Sequence, residues 1–176
     1  MIPVLLFLAA AWSEPAIVVH DDEPAVIYRA RWTGAHLIVQ AKLSQGFHTF
    51  TMDNKERVAA KLAGKTALAT DLPTSIKVSG ALEPAGQWRQ SAPKDFSKPE
   101  LRLFAFGFEN EATFAVKAKR TAGSSAQVSI RGQACTDKVC KNINLDLDVP
   151  LSEATPEARE IEGLLPVESG SPVSYN

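Results

Sequence analysis

The sequence predicts an all-β protein, an antiparallel β-sandwich with one or two short helices. Seven or eight short segments are rich in β-branched and aromatic residues, and residues that favour turns separate them. Only one interior segment has the composition and the end signals of a helix. The length of 176 residues suits one domain with its own hydrophobic core.

The first two predicted strands are joined by a short turn. They are AVIYRARW (25–32) and HLIVQAKL (36–43), and Thr33 with Gly34 between them is a turn signal. The segment GFHTFTM (46–52) predicts a third strand.

A short helix is predicted after the third strand. Asp53 followed by Glu56 matches a capping box, and the segment ERVAAKLA consists of good helix formers. Gly64 stands where a C-terminal cap belongs. The segment TSIKVSG (74–80) then predicts another strand.

A long loop is predicted over residues 83–99, EPAGQWRQSAPKDFSKP, which has three prolines and little periodicity. Loops of this length are uncommon unless they bind or cover something. Two further strands are predicted, ELRLFAFGF (100–108) and ATFAVKAK (112–119), with the hairpin turn ENE (109–111) between them.

The last two predicted strands flank the only two cysteines of the chain. In INLDLDV (143–149), apolar residues alternate with Asn and Asp, which predicts a half-buried strand whose polar face includes Cys140. In AQVSIRG (126–132), the apolar positions are out of phase with Cys135. We therefore expect neither cysteine in the core, and we expect the pair to bridge the two arms of one β-hairpin near solvent.

Composition and spacing exclude several classes of function. The net charge is −1 and the sequence has no run of like charges, so it lacks the basic patch that is typical of nucleic-acid-binding proteins. A metal site is not predicted, because two thiols are too few ligands and His20, His36 and His48 lie far from them in sequence. His48 is predicted to be a structural histidine at the surface or at a sheet edge.

The N-terminus predicts a signal peptide over residues 1–13. The apolar run is too short to span a bilayer, and Ala11-Trp12-Ser13 fits the small-x-small rule for cleavage. No later segment approaches membrane-spanning length, so we expect a periplasmic or secreted protein without stable membrane insertion, in a compartment where disulfides form.

The predicted domain covers residues 25–152, and residues 153–176 are predicted to be a short helix and a flexible tail. Thr155 can cap this helix with Pro156 at its first position, and the remainder is rich in Ser, Gly and Pro.

The residues alone leave two roles open for the cysteine pair. As a staple, a disulfide that closes so short a loop contributes roughly 2 kcal/mol in the chain-entropy model. As an exchange site, it needs a sulfur that an attacking thiolate can reach. Lys138 and Lys141 favour a thiolate at this site, whereas Asp137 opposes it.

The segment GQACTDKVC (132–140), followed by a strand that ends in DVPL, resembles the redox-active hairpin of the N-terminal domain of the thiol:disulfide interchange protein DsbD. The segments GFHTF, LPTSIKV and PAGQW are similar to further parts of that domain, and the resemblance covers about residues 28–152. It implies an immunoglobulin-like sandwich that relays electrons between thioredoxin-fold partners, a donor and an acceptor. The sulfurs themselves carry the electrons, so no cofactor is expected.

The resemblance also implies roles for individual residues. Cys140 matches the cysteine that forms the mixed disulfide, and Cys135 matches the one that resolves it. A cap loop shields the pair until a partner displaces it, and the loop 83–99 would place Phe96 over the sulfurs with Asp95 beside it. The alternative for Phe96 is a loop anchor packed on the sandwich, and Trp88 is expected to pack at the core or at an edge.

The chain also departs from the family pattern. Gly132 replaces an aromatic residue, four residues rather than five separate the cysteines, and Lys141-Asn142 replaces a proline pair. No transmembrane conduit or thioredoxin domain follows, so the reductant is expected on another polypeptide. An active protein would be a component of a protein-disulfide reductase or oxidoreductase system. The alternative is a non-catalytic immunoglobulin-like binding or assembly module with a structural hairpin disulfide.

Overall fold

The computed structural model describes residues 12–64, 69–70, 72–151 and 159–168. Two antiparallel sheets pack face to face in an all-β immunoglobulin-like sandwich, as predicted. In chain order the strands are β1 (Ala16–His20), β2 (Glu23–Trp32), β3 (His36–Leu43), β4 (His48–Phe50), β5 (Ala69–Thr70), β6 (Ser75–Gly80), β7 (Leu82–Pro84), β8 (Arg89–Gln90), β9 (Lys94–Asp95), β10 (Leu103–Phe104), β11 (Phe106–Glu109), β12 (Glu111–Arg120), β13 (Ser125–Cys135), β14 (Cys140–Pro150) and β15 (Leu165–Pro166). The helix α1 spans Asn54–Leu62, and single 3₁₀ turns span Pro99–Leu101 and Arg159–Ile161.

The first sheet has the strand order β1-β2-β3-β12-β8-β15, and β7 pairs with the end of β12. The hairpin of β2 and β3 turns at Thr33 and Gly34, as predicted. The strand β1 was not predicted, although β-branched residues dominate it.

The second sheet has the order β14-β13-β4-β11-β9 and carries the two cysteines. The first part of β13 pairs with β6, and its last two residues pair with β4. On the other side, β4 pairs with β11. Gly107 allows this close pairing, because a Cβ at this position would lie 2.1 Å from the carbonyl oxygen of Thr49.

Alternate residues of both sheets form the core between them. Even-numbered positions of β13 are buried, and Ile143, Leu147 and Val149 of β14 are buried opposite them. Trp88 packs against this core, half-buried, as expected. The alternation seen in the sequence therefore corresponds to the inner and outer faces of the sheet.

The segment 100–111 differs from its prediction. The predicted strand 100–108 is interrupted, because residues up to Leu101 form a 3₁₀ turn and only 106–109 pair in the second sheet. The predicted hairpin turn 109–111 instead carries the chain from one sheet to the other, since β11 pairs with β4 and β9 whereas β12 pairs with β3, β7 and β8. Asn110, with φ of 65°, makes the change of direction.

The helix α1 and its C-terminal signal at Gly64 are confirmed, but its N-terminal signal acts differently. Asp53 is the N-cap residue without a capping hydrogen bond from its side chain, so the capping box is wrong. Its carboxylate instead accepts hydrogen bonds from Arg57, Gln90 and the backbone of Glu168. Gly64, with φ of 87°, has the left-handed conformation expected of a glycine at the C-terminal cap, and Ala63 before it is left-handed as well.

The predicted N-terminal and C-terminal segments lie largely outside the described residues. This applies to the signal peptide up to residue 11 and to the helix start at Thr155 and Pro156. Ser13 donates its backbone N–H to the carbonyl oxygen of Ala30 at 2.7 Å. Among the residues described, no helix has the length and apolar character needed to cross a membrane.

Candidate functional site

Cys135 and Cys140 form a disulfide at the end of the β13–β14 hairpin. They lie directly opposite each other in the strand register, with their Cα atoms 4.0 Å apart. The turn between them is closed by a hydrogen bond from the N–H of Thr136 to the carbonyl oxygen of Val139 at 2.8 Å. The predicted bridge between two arms of one hairpin is confirmed.

The two cysteines have different environments. Cys140 is exposed, whereas Cys135 is only 3% exposed. The expectation that both cysteines lie near solvent is therefore right for Cys140 and wrong for Cys135. Cys135 does point away from the core, as its parity predicted, since its neighbour Ala134 belongs to the core cluster and Cys135 does not. Its burial comes from another segment of the chain that covers the outer face of the sheet.

We call residues 94–105 the covering segment, because they close over Cys135. Phe96, half-buried, packs against a small cluster formed by Phe50, Ala105 and Cys135. The segment folds back on itself through a hydrogen bond from the N–H of Phe96 to the carbonyl oxygen of Ala105 at 2.9 Å. Its first strand, β9, pairs with β11. Phe96, which the resemblance implied as the cap, therefore lies against the cluster that contains Cys135.

Asp95 anchors the covering segment to the helix. Its carboxylate forms an ion pair with Lys61 of α1 and accepts a hydrogen bond from the N–H of Ser97. Burial opposes ionisation of Asp95, but the hydrogen bonds and the charge of Lys61 outweigh it and lower the pKa of this carboxyl. Asp95 therefore holds Phe96 in place from the helix side.

A second ion pair joins the covering segment to the cysteine turn. Lys98 Nζ lies 2.7 Å from Asp137 Oδ1. The hydrogen bond from Lys98 and its charge lower the pKa of Asp137, and the same contacts raise the pKa of Lys98. The carboxylate of Asp137, which lies between the two cysteines in sequence, is thus paired with Lys98 of the covering segment.

A cleft of about 560 Å³ opens beside the disulfide. The hairpin, the strand β4 with the residues before it, and the covering segment form its walls. Its lining includes Phe47, His48, Phe50, Phe96, Lys98, Leu103, Ala105, Glu109, Cys135, Thr136, Asp137 and Cys140.

His48 belongs to this site, which the sequence did not indicate. It lies opposite Cys135 in the pairing of β4 with β13. Its ring stacks on Phe96 with a centroid distance of 4.7 Å and contacts Phe50 edge to face at 5.4 Å. The alternation of His48 with Phe50 places both on one face, but no local pattern shows that β4 pairs with the cysteine hairpin.

The described residues contain no group of three His, Cys, Asp or Glu side chains that is arranged to hold a metal ion. What the site offers chemically is a disulfide bond in which one cysteine, Cys140, is exposed and the other, Cys135, is buried.

No family model matches the sequence, and no curated protein matches it. Solved structures do match. The N-terminal periplasmic domain of ScsB from Proteus mirabilis is 16% identical with a TM-score of 0.58, and the match covers 84% of this chain and 54% of that one. The N-terminal domain of DsbD from Neisseria meningitidis, in the reduced form, is 14% identical with a TM-score of 0.49, over 74% of this chain and 87% of that one.

This chain spans about half the length of the ScsB structure that it matches, 54% of it. The two antiparallel sheets of this chain are consistent with the all-β immunoglobulin-like sandwich that was predicted. The chain has the fold of the N-terminal periplasmic domain of ScsB, which fits the DsbD-type domain that its sequence resembles.

Proposed function

We propose that this protein is a periplasmic thiol–disulfide exchange domain that relays electrons between thioredoxin-fold partners through Cys135 and Cys140. The observation that carries the proposal is the asymmetry of the disulfide, with Cys140 exposed at a cleft and Cys135 buried beneath the covering segment. An exchange site needs one sulfur that a partner thiolate can reach, and a sulfur that stays with the protein and completes the reaction.

The chemistry follows from this arrangement. A partner thiolate attacks Cys140 Sγ, a new disulfide forms between the two proteins, and the electron pair of the broken bond goes to Cys135 Sγ. The second thiol of the same partner then attacks the partner's own sulfur in the mixed disulfide, which releases this partner with an internal disulfide and leaves Cys140 as a thiolate. The reduced pair passes its electrons on by attacking the disulfide of an acceptor.

The covering segment acts as a cap in this proposal. Phe96 shields Cys135, and Asp95 holds Phe96 from the helix side. The location in the periplasm is supported by the neighbour from Proteus mirabilis, which is a periplasmic domain, and by the signal peptide predicted over residues 1–13. The protein would be a component of a protein-disulfide reductase system.

A second candidate is an immunoglobulin-like binding or assembly module in which the disulfide is a staple. The observation in its favour is that Cys135 packs in a cluster with Phe50 and Ala105, so the bridge also supports the covering segment.

A redox titration of the full chain separates the two candidates. We expect the Cys135–Cys140 pair to equilibrate with a thioredoxin-type couple at a potential between about −280 and −120 mV, the range of exchange proteins. A structural disulfide has a potential below about −300 mV. A value in that lower range would contradict the relay and favour the staple.

The variant Phe96→Ala is expected to expose the disulfide. Removing the ring uncovers Cys135, so dithiothreitol can attack this sulfur as well as Cys140, and we expect the bond to be reduced roughly tenfold faster than in the parent protein. Phe106→Ala is the matched control, since Phe106 is also half-buried on β11 and lies outside the Cys135 cluster. Equal reduction rates for the two variants would show that Phe96 is a loop anchor and no shield.

A further inference from the structure

Four side chains form a row across the outer face of the second sheet. In the strand register Cys140 lies opposite Cys135, Cys135 lies opposite His48, and His48 lies opposite Glu109. Residues directly opposite in antiparallel strands point to the same face, with Cβ atoms about 4.5–5.5 Å apart. All four line the cleft beside the disulfide. The sheet thus places an imidazole between the buried cysteine and a carboxylate.

A positive charge next to the buried cysteine favours its thiolate during exchange. When a partner attacks Cys140, the electron pair of the broken bond goes to Cys135, which is only 3% exposed. Burial disfavours a thiolate and raises the pKa of a thiol, whereas a neighbouring cation lowers it. A thiol of lower pKa is also the faster leaving group.

The charged groups around His48 are distributed over several elements. From the covering segment Lys98 faces the site, but it is paired with Asp137 of the turn. From β11 Glu109 lies opposite His48 and also pairs with Lys94 of β9. Lys138 of the turn is exposed. None of these charged groups lies opposite Cys135 in the strand register, whereas His48 does.

We propose that His48, in its imidazolium form, stabilises the thiolate of Cys135, and that Glu109 acts as a positioning residue by favouring that charged form. The inference rests on the exchange function proposed above and names a group that makes it pH-dependent. Histidine is suited to this role because its ordinary pKa near 6.5 puts its change of charge close to neutral pH.

The contacts of the site support this role. The stack of His48 on Phe96 holds the imidazole beneath the covering segment. The charge of His48 contributes to the lowered pKa of Asp137, after the larger contributions of the hydrogen bond and the charge of Lys98. His48 is therefore near enough to the cysteine turn to act on a charge there.

The step balances in atoms and electrons. The partner sulfur bonds to Cys140 Sγ, the Cys135–Cys140 bond breaks, and Cys135 keeps the electron pair as a thiolate beside the imidazolium. A proton can then pass from the imidazolium to Cys135, which leaves a thiol and a neutral imidazole.

The thiolate of Cys135 can be titrated directly in the full-length variant Cys140→Ser, where Cys135 is the only cysteine. Ultraviolet absorbance of the thiolate gives its midpoint as the pH is raised. Adding His48→Phe, which keeps an aromatic ring on Phe96 but no charge, is expected to raise the midpoint by about one pH unit, the size of effect that one neighbouring charge produces. Glu109→Gln should raise it by a smaller amount.

His36→Gln is the control, because His36 lies on β3 in the other sheet and should leave the midpoint of Cys135 unchanged. If His48→Phe leaves the midpoint where it was, His48 only packs against Phe96 and the proposal is overturned. His48→Gln takes its place if circular dichroism shows that His48→Phe is unfolded. Since no partner takes part in the titration, its result is independent of the redox potential that decides the exchange function.

Discussion

Replacing Cys135 by serine is expected to turn the protein into a trap that holds a thioredoxin-fold partner through Cys140. Cys140 is exposed and lines the cleft, and without Cys135 no resolving thiol remains in the chain to release the partner. We expect the mixed disulfide to accumulate at least about tenfold over the variant Cys140→Ser, because the exposed thiol of Cys140 can reach the disulfide of the partner and the buried thiol of Cys135 cannot. The measurement is a non-reducing gel after incubation with an oxidised thioredoxin-fold protein, with mass spectrometry to locate the linked cysteine.

The variant Cys140→Ser is the matched control for this experiment. Its remaining thiol, Cys135, is only 3% exposed, so we expect little adduct. Combining Cys140→Ser with Phe96→Ala should restore adduct formation, because Phe96 packs on the Cys135 cluster. If neither single variant forms an adduct with a thioredoxin-fold protein, the relay is wrong. Equal adducts from both would show that the covering segment does not protect Cys135.

Asp53→Ala is expected to give the largest loss of stability, about 3 kcal/mol in the free energy of unfolding, because it leaves buried donors without their charged partner. The carboxylate is fully buried and accepts hydrogen bonds from Arg57 Nε at 2.8 Å, Gln90 Nε2 at 2.7 Å and the backbone N–H of Glu168 at 2.8 Å. It joins α1, β8 and the C-terminal segment at one point.

Urea unfolding of the full chain measures this loss. Asp95→Ala is the comparison, because the ion pair of Asp95 with Lys61 is partly exposed and such pairs contribute about 0–1 kcal/mol. If Asp53→Ala lowers the free energy of unfolding no more than Asp95→Ala does, the buried hydrogen bonds of Asp53 do not stabilise the fold as proposed.

The stability that Asp53 contributes should depend on pH. Burial acts to raise the pKa of Asp53, but hydrogen bonds from Arg57, from the backbone of Glu168 and from Gln90, with the charge of Arg57, outweigh it and lower the pKa in the folded state. A carboxyl of this kind contributes stability that is fully present above its unfolded pKa, about 3.9, and that is lost as the pH falls through the folded pKa.

The difference in unfolding free energy between the parent protein and Asp53→Asn should therefore be constant near neutral pH and shrink as the pH falls below about 4. A difference that stays the same into this acidic range would show that the pKa of Asp53 is not lowered on folding.

Local patterns in the sequence were sufficient for much of the sandwich and for half of the site. The alternation in residues 143–149 predicted a half-buried strand, and the structure has β14 there with Cys140 on its exposed face. The short spacing of the two cysteines predicted a hairpin bridge, and the parity of Cys135 correctly placed it off the core face. These features depend on the pleat of a strand and the length of a turn, which neighbouring residues decide.

Other features depend on which distant segments meet. The sequence predicted a loop over 83–99, but the cover of Cys135 needs Phe96 from that loop together with Phe50 and Ala105 from elsewhere in the chain. The sheet change at Asn110 also has no local signal, because a hairpin and a crossover begin with similar turn residues.

What the sequence by itself determined is the all-β class, the cysteine hairpin and the outward face of Cys140. Only the tertiary structure decided that Cys135 is buried, that His48 lies opposite it, and that Asp53 accepts hydrogen bonds from α1, β8 and the C-terminal segment. The physical reason is that alternation along a strand shows which side chains share a face. The residues that cover that face come from strands and loops many positions away, brought together by the packing of two sheets.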